Sequence, residues 1–482
     1  MFFPIIAFAP DADDTQAGVL PDVNDMIPTM RGYAGAPSAI GKGLAALAAE
    51  CRGAAAVTPL DGTPVLFAGS QTKLYKAGSA AWTDVTRASD YTGSTTSRWV
   101  FTQIGNVTIA VNKTDTSQYY THGSSTDFAD MTEMPKALVA EAVGNFLLVG
   151  NYNGGTDYVD GWGCSSITDY SDWTASTDTQ CTYGRLYDTP GPITGLKRLQ
   201  EYAIYYKRRS MYLARYVGLP LVWEFSLVSD QVGAVAQSAI IRVGQRHFFL
   251  GDDDFYMYDT ASVQSIGQPI REWFNANANK AKITSTEAVH DEERGVVYWF
   301  YPFGTSTTLN AWVAYNYRSN KWGKGAMSIE AAVQYVAAGM SYNDLDTLYG
   351  TYDGFPSASY DELSPAGLSR LPAIFDTAHT LKTLTGASVT SDFTSNDFGI
   401  DGAISLFSRL RPRYLRSPTS ATMTNYYRDS PGDALTTDQT VTQASGKFDC
   451  LRSARWHRVK IEFVGDVEIP GADVETKPES LE

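Results

Sequence analysis

The chain has 482 residues, 43% hydrophobic and 19% charged, which describes a folded protein with one large domain or about two or three ordinary ones. Its formal net charge of -15 excludes a binder that grips nucleic acid by neutralising phosphates with clustered Lys and Arg, although an acidic wall lets DNA slide past. Four scattered cysteines without a CxxC pair exclude a disulfide framework and a structural zinc site, and are read as free thiols of a reducing cytoplasm.

In chain order, MFFPIIAFAP lacks a basic n-region and is interrupted by Pro4, so it reads as an extended arm and not as an export signal. No run of about 18 apolar residues follows anywhere, and no membrane-spanning segment is expected. The Pro- and Gly-dense GVLPDVNDMIPTMRGYAGAPSA continues the arm. SAIGKGLAALAAECRG, residues 38–53, has the spacing of an amphipathic helix. Residues 1–60 are thus expected to form an arm and short helix belonging to a platform.

From 61 to 365 the chain repeats a loose unit: an apolar strand, a Gly or polar turn, a Tyr-rich strand, a loop, and an aromatic closing a short third strand. The instances are VLFAGSQTKLYKAGSAAWTDVT, NVTIAVNKTDTSQYYTHGSSTDFADMT, NFLLVGNYNGGTDYVDGWGCSSITDYSDWTAS and EYAIYYKRRSMYLARYVGLPLVWEFSLVS. FFLGDDDFYMYDTASVQSIGQ and VVYWFYPFGTSTTLNAWVAYNYRSNKWGKG follow, and DTLYGTYDGFPSASYDELS is a weaker seventh. Closing residues Trp82, Phe128, Trp173 and Trp223 recur at roughly the interval of a four-stranded propeller blade. A blade cannot cover both of its faces alone, so radial packing with aromatics in the wedges is expected. The fold class is all-β: a β-propeller of six or seven blades. GQPIREWFNANANK, residues 267–280, is a second short helix candidate.

The turn position of this unit holds GSQTK, GNYNGG, KRRS and GDDD in different copies. It tolerates acid, amide and base, so Asp252, Asp253 and Asp254 read as a turn, with a calcium site as the alternative and catalytic acids third.

From 366 to 482 the period fails. ISLFSRLRPRYLRS and SARWHRVKIEFVGDVEI alternate apolar with polar or basic residues, and these strands are expected to complete the platform with the N-terminal segment, because strands left alone expose unpaired edges. The last residues, PGADVETKPESLE, read as frayed.

His122, His247, His290, His379 and His457 stand alone, without HxH, HExxH or HxxxH spacing, and no GxSxG, P-loop or GxGxxG occurs. HDEERG reads as a solvated turn, although folding could pair such carboxylates for glycoside hydrolysis. No catalytic residue, cofactor or metal ligand is expected. Arg409, Arg411 and Arg413 alternate and so share one strand face, with Pro412 marking an edge strand. With Arg455 and Arg458 they are the candidate subunit or ring interface, a phosphate contact being the other reading.

Several stretches in order, DVNDMIPTMRGYAGAPSAI, RWVFTQIGNVTIAVN, SDWTAS, DTPGPITGL, YYKRRSMYLARYVGLPLVWEF, GDDDFYMYD and YNYRSNKW, give the chain a likeness from about residue 20 to 325. It resembles the tail nozzle, or tail hub, proteins of short-tailed bacteriophages, also described as packaged-DNA stabilisation proteins. That resemblance implies a virion structural protein without catalysis, made in the host cytoplasm and carried in the tail. It implies a homohexameric ring below the portal and adaptor rings, closing a channel for genomic DNA and meeting fibre, spike or plug proteins. The larger nozzle proteins dock fibres on extra domains, and this chain is too short for many such insertions. Two other functions fit a propeller: a receptor- or glycan-binding module, and a polysaccharide-degrading glycosidase.

Overall fold

Seven four-stranded blades stand in a ring, the first five as separate sheets and the last two within one continuous sheet, and a β platform is attached to its side; the computed structural model describes residues 2–13, 15–336, 370–399, 402–430 and 432–481. The first blade is Ala54–Val57, Val65–Gly69, Leu74–Ala77 and Trp82–Asp84. Blades two to five repeat the same antiparallel meander, beginning at Val100–Ile104, Lys136–Val143, Ile193–Leu199 and Ile240–Val243. The sixth contains Glu287–Asp291, Val296–Tyr301 and Leu309–Asn316, closed by the first half of the long strand Lys321–Val336.

That long strand passes through a register shift between Ile329 and Ala331 and becomes the first strand of the seventh blade. Arg370–Asp376 and Leu381–Gly386 follow, and Ser38–Gly41 from the other end of the chain is the outermost strand. The molecule is therefore a seven-bladed β-propeller, closed by a strand that enters before the first blade. The helix expected over 38–53 does not form. Its first residues pair with Lys382, Thr383, Leu384 and Gly386, and the rest is irregular. Completing the sheet satisfies backbone groups of an otherwise open edge, and this outweighs a weak local preference. The weaker seventh repeat, 346–364, lies outside the described residues.

The apolar strand that opens each repeat is the second strand of its blade. Val107–Val111 and Val296–Tyr301 are buried along their whole length. Neighbouring blades cover both faces of these strands, so they read as continuous apolar runs and not as alternations. The strands before them line the axis, range from half-exposed, as in Ala54–Val57 and Val100–Ile104, to mostly buried, as in Glu287–Asp291, and carry a mixed sequence. In blades two to five the first hairpin is a two-residue turn, linking Ile104 to Val107, Val143 to Phe146, Leu199 to Tyr202 and Val243 to Arg246. Its first residue, Gly105, Gly144, Gln200 or Gly244, has φ between 53° and 60°, the requirement of a type II′ turn.

Seven apolar clusters seal the joints between blades. Trp82, Phe128, Trp173, Trp223 and Trp322 each pack into the joint with the preceding blade. Trp173 does so from a loop, since the closing strand of its blade is Tyr183–Arg185. The helix Arg271–Asn277 forms where expected and packs Phe274 against Phe255 and Tyr301.

The platform is built from both chain ends. One sheet orders Phe2–Pro4, Gly471–Leu481, Ala403–Arg413 and Phe448–Ala454. The other contains Thr436–Thr442, Ser420–Arg428, Trp456–Val464, Thr390–Thr394 and Asp22–Asn24, with Phe398–Gly399 alongside. The C-terminal stretch is not frayed: it is an internal strand, paired on one side with the arm and on the other with Ala403–Arg413. Pro412 likewise sits in an internal strand. It pairs with Ala472 beyond the last residue that Phe448–Ala454 contacts, Leu410, so its missing N–H removes no ladder bond on that side. One core runs from Phe407, Met423 and Ile461 through Phe8 and Tyr33 to Trp299 and Trp322 of blade six. The Tyr33 hydroxyl donates to the Trp322 carbonyl at 2.7 Å, and Met26 pairs with Lys324, adding a strand outside that blade.

Candidate functional site

Residues 251–254 form the turn of the fifth blade, with the Gly251 N–H donating to the Asp254 carbonyl at 2.8 Å. The three carboxylates point to different partners. Asp252 receives the Arg208 Nε at 2.7 Å and both Nε and Nη2 of Arg209 at 3.0 and 2.8 Å, from the KRRS turn of blade four. Burial pushes its pKa up, but the two arginines outweigh this and hold it below the usual carboxylate value. Asp253 accepts from the Tyr256 hydroxyl. Asp254 is buried, accepts from the Phe255 N–H and the Ser265 hydroxyl, and has its pKa raised by that burial. These residues join two blades. Among the described residues, no group of three or more His, Cys, Asp or Glu could hold a metal ion. In HDEERG, Asp291 pairs with Arg294 at 2.9 Å, while the Glu292 and Glu293 carbonyls accept from Arg318. All four cysteines are free and buried.

The five arginines do not form one surface. Arg409, Arg411 and Arg413 share the outer face of Ala403–Arg413, and two of them are already paired across strands. Arg409 reaches Asp449 at 2.7 Å and Glu475 at 3.5 Å. Arg413 holds Asp473 through two bonds of 2.8 Å and covers the Phe2 ring at 4.6 Å. The Asp473 carboxyl is lowered by Arg413, and that of Asp449 by Lys447 and Arg409. Arg411 is exposed. Arg455 is half-buried and its carbonyl lies against Gly399. Arg458 faces the interior, only 8% exposed, and shares the buried Asp397 with Arg428 at 2.7 Å each. It is thus part of a buried ionic core in the platform. The Asp397–Arg428–Arg458 group was not legible locally, because its members lie 31 and 61 residues apart along the chain.

Ring closure creates a site that no local motif announces. A cavity of about 670 Å³ lies on the propeller axis and is lined by the first strands of all seven blades. Arg98, Lys113 and Lys197 face it together with one acid, Glu287. Arg98 pairs with Glu287 at 2.7 Å and donates to the Glu330 carbonyl at 3.2 Å. Burial raises the Glu287 pKa, and Arg98 works against that rise. Lys113 is occupied at the rim by Asn151 and Asp157, at 2.5 and 2.9 Å.

No family model and no curated protein matches the chain. Solved structures give distant likenesses. The WD40 domain of Neurospora crassa Pan2 aligns at 7% identity and TM-score 0.40, over 74% of this chain and 97% of that one. YCF48 bound to D1 peptide aligns at 11% and 0.39, over 74% and 97%. The computationally designed Ika8 protein aligns at 9% and 0.36, over 71% and 99%. At these levels the likenesses concern fold alone.

Proposed function

We propose that this chain is a subunit of the nozzle ring of a short-tailed bacteriophage, a structural part of the virion tail that retains packaged DNA and provides the channel for its ejection. The observation that supports it most is the architecture: a closed seven-bladed wheel joined rigidly, through one shared core, to a platform made from both chain ends. The wheel supplies a stiff wall, and the platform supplies a second body for contact with an adaptor ring. The axial cavity of about 670 Å³ has the size of a small-molecule site, so the DNA path in this reading runs between copies and not through a wheel. Copies carrying a net charge of -15 form a lining that repels phosphate.

A contact between copies would cover apolar surface now open. The hairpin tip of blade four exposes Tyr216, Val217, Leu219 and Leu221 together, and a contiguous patch of this kind marks an interaction surface. Native mass spectrometry and electron microscopy of the purified chain are expected to show a sixfold ring with an open axis. The double variant Leu219→Asp and Leu221→Asp should remain folded and lose ring assembly. A strictly monomeric protein that joins no tail ring contradicts the reading.

A second reading, glycan binding, is favoured by one feature. A groove between blades two and three is lined by Tyr152, Tyr158 and Tyr183, with Glu133 and Asn153 beside them. The Tyr152 ring lies 5.5 Å from Tyr158 and 5.7 Å from Tyr183, an aromatic platform of the type on which sugars stack. A saturable glycan-array signal that disappears in Tyr183→Ala would favour this function over the nozzle.

A further inference from the structure

The axial cavity concentrates positive charge inside an acidic protein. Its wall carries Arg98, Lys113 and Lys197 against Glu287 alone, although the whole chain has 53 acidic and 38 basic residues. Arg98 and Lys113 have partners within the protein. Lys197, on the first strand of blade four, does not: among the described residues no hydrogen-bond partner and no carboxylate at ion-pair distance meets its ammonium group. The nearest influences are Glu141 and Glu287, which act on it only at longer range. A half-buried cation without a counter-ion is a cost that the fold does not itself relieve.

Two further observations point to an occupant. The Gln334 amide nitrogen is buried against the same cavity and meets no hydrogen-bond acceptor among the described residues, whereas the Arg98 Nη1 is held by Glu287 at 2.7 Å. Unsatisfied donors of this kind are uncommon in a finished interior and call for an acceptor. The remaining wall mixes apolar side chains, including Ala54, Val100, Leu138, Ile241 and Val333, with hydroxyl and amide groups such as Ser97, Thr194 and Gln237. An open-ended cavity of about 670 Å³ with apolar side chains and a few convergent donors has the composition of a small-ligand site.

We propose that the axial cavity binds a small organic oxyanion, a carboxylate or phosphate ester with an apolar body, whose charged end meets Lys197 and whose remaining oxygens accept from Gln334. The apolar body rests on the side chains between these donors. The site is independent of ring assembly and of the platform. Lys197 comes from blade four, Gln334 from blade seven and the rest of the wall from all the blades, so the site exists only in the closed propeller.

Calorimetric titration of the full chain with 1-naphthyl phosphate, 1-naphthoate and neutral 1-naphthol tests this directly. One equivalent of either anion is expected to bind, at least roughly tenfold more tightly than naphthol, as a charge-assisted hydrogen bond provides. The two anions distinguish a phosphate from a carboxylate site. Lys197→Ala should weaken the anions about tenfold, leave naphthol unchanged, and melt at or above the parent because its ammonium has no partner to lose. Lys197→Arg should restore binding. Glu287→Gln should tighten the anions, a direction that mere structural damage would not produce. Equal binding of naphthol and the anions, undiminished binding by Lys197→Ala, or no binding at millimolar concentrations overturns the proposal.

Discussion

Asp397 is 3% exposed, and it answers two guanidinium groups that are themselves only 8% exposed. Replacing it by Ala leaves Arg428 and Arg458 buried without their shared carboxylate, and the expected loss is about 3–5 kcal/mol of unfolding free energy, measured by urea denaturation. His247 supplies a pH-dependent term. Its Nδ1 accepts from the Tyr206 hydroxyl at 2.8 Å, its Nε2 donates to the Arg198 carbonyl at 3.0 Å, and burial holds its pKa down at about 3. The folded protein keeps this ring neutral while the unfolded chain protonates it near its ordinary value. Its stability contribution is therefore complete above about pH 6.5 and falls as pH drops toward 3, at up to about 1.4 kcal/mol per pH unit. His247→Gln should flatten that slope in denaturant titrations at successive pH values. In the sequence His247 was one isolated histidine, and only the joint between blades four and five made it a buried hydrogen-bonded group.

At the scale of elements, the residues that open each repeat were legible because strands covered on both faces need uninterrupted apolar sequence. Val107–Val111 and Val296–Tyr301 show this directly. The first strands were not legible. Ala54–Val57 is three alanines and a valine, and Glu287–Asp291 carries three polar residues, because these strands face a cavity and each other across the axis. Ser38–Gly41 was read as the start of a helix for a related reason: a strand held by one neighbour at the rim needs no strong pattern of its own. Its contribution is to cover the edge of Leu381–Gly386. A chain beginning at residue 42 would lose it together with the arm strand on Gly471–Leu481. Such a truncation is expected to aggregate or to lose its cooperative melting transition, read by light scattering and circular dichroism.

On the scale of the molecule, closure and docking follow from two long-range pairings. The seventh blade joins residues 38–41 to 381–386, and the platform joins residues 2–4 to 471–473. Both connect segments more than 300 residues apart, so the wheel and the platform share the two ends of the chain. This coupling predicts that changes at the exposed tip of blade four, such as Leu219→Asp with Leu221→Asp, leave the melting of the chain intact. The tip is a surface hairpin outside every core cluster that holds those ends together.

Taken alone, the sequence determined that the protein is built from aromatic-closed β units in a propeller, because apolar spacing and turn residues are local properties of the chain; it set the ends 1–60 and 366–482 wholly in the platform, whereas residues 38–41, 54–57 and 370–386 are blade strands. It also placed Asp252–Asp254 in a turn, from the variety of residues that the same position accepts. Tertiary structure alone decided the number of blades, the identity of the closing strand, the partners of Arg409, Arg413 and Arg458 and the existence of the axial cavity. Each of these depends on which distant segments meet, and side chains that are unremarkable in series, such as Lys197 and Gln334, face one cavity only when seven blades close around one axis.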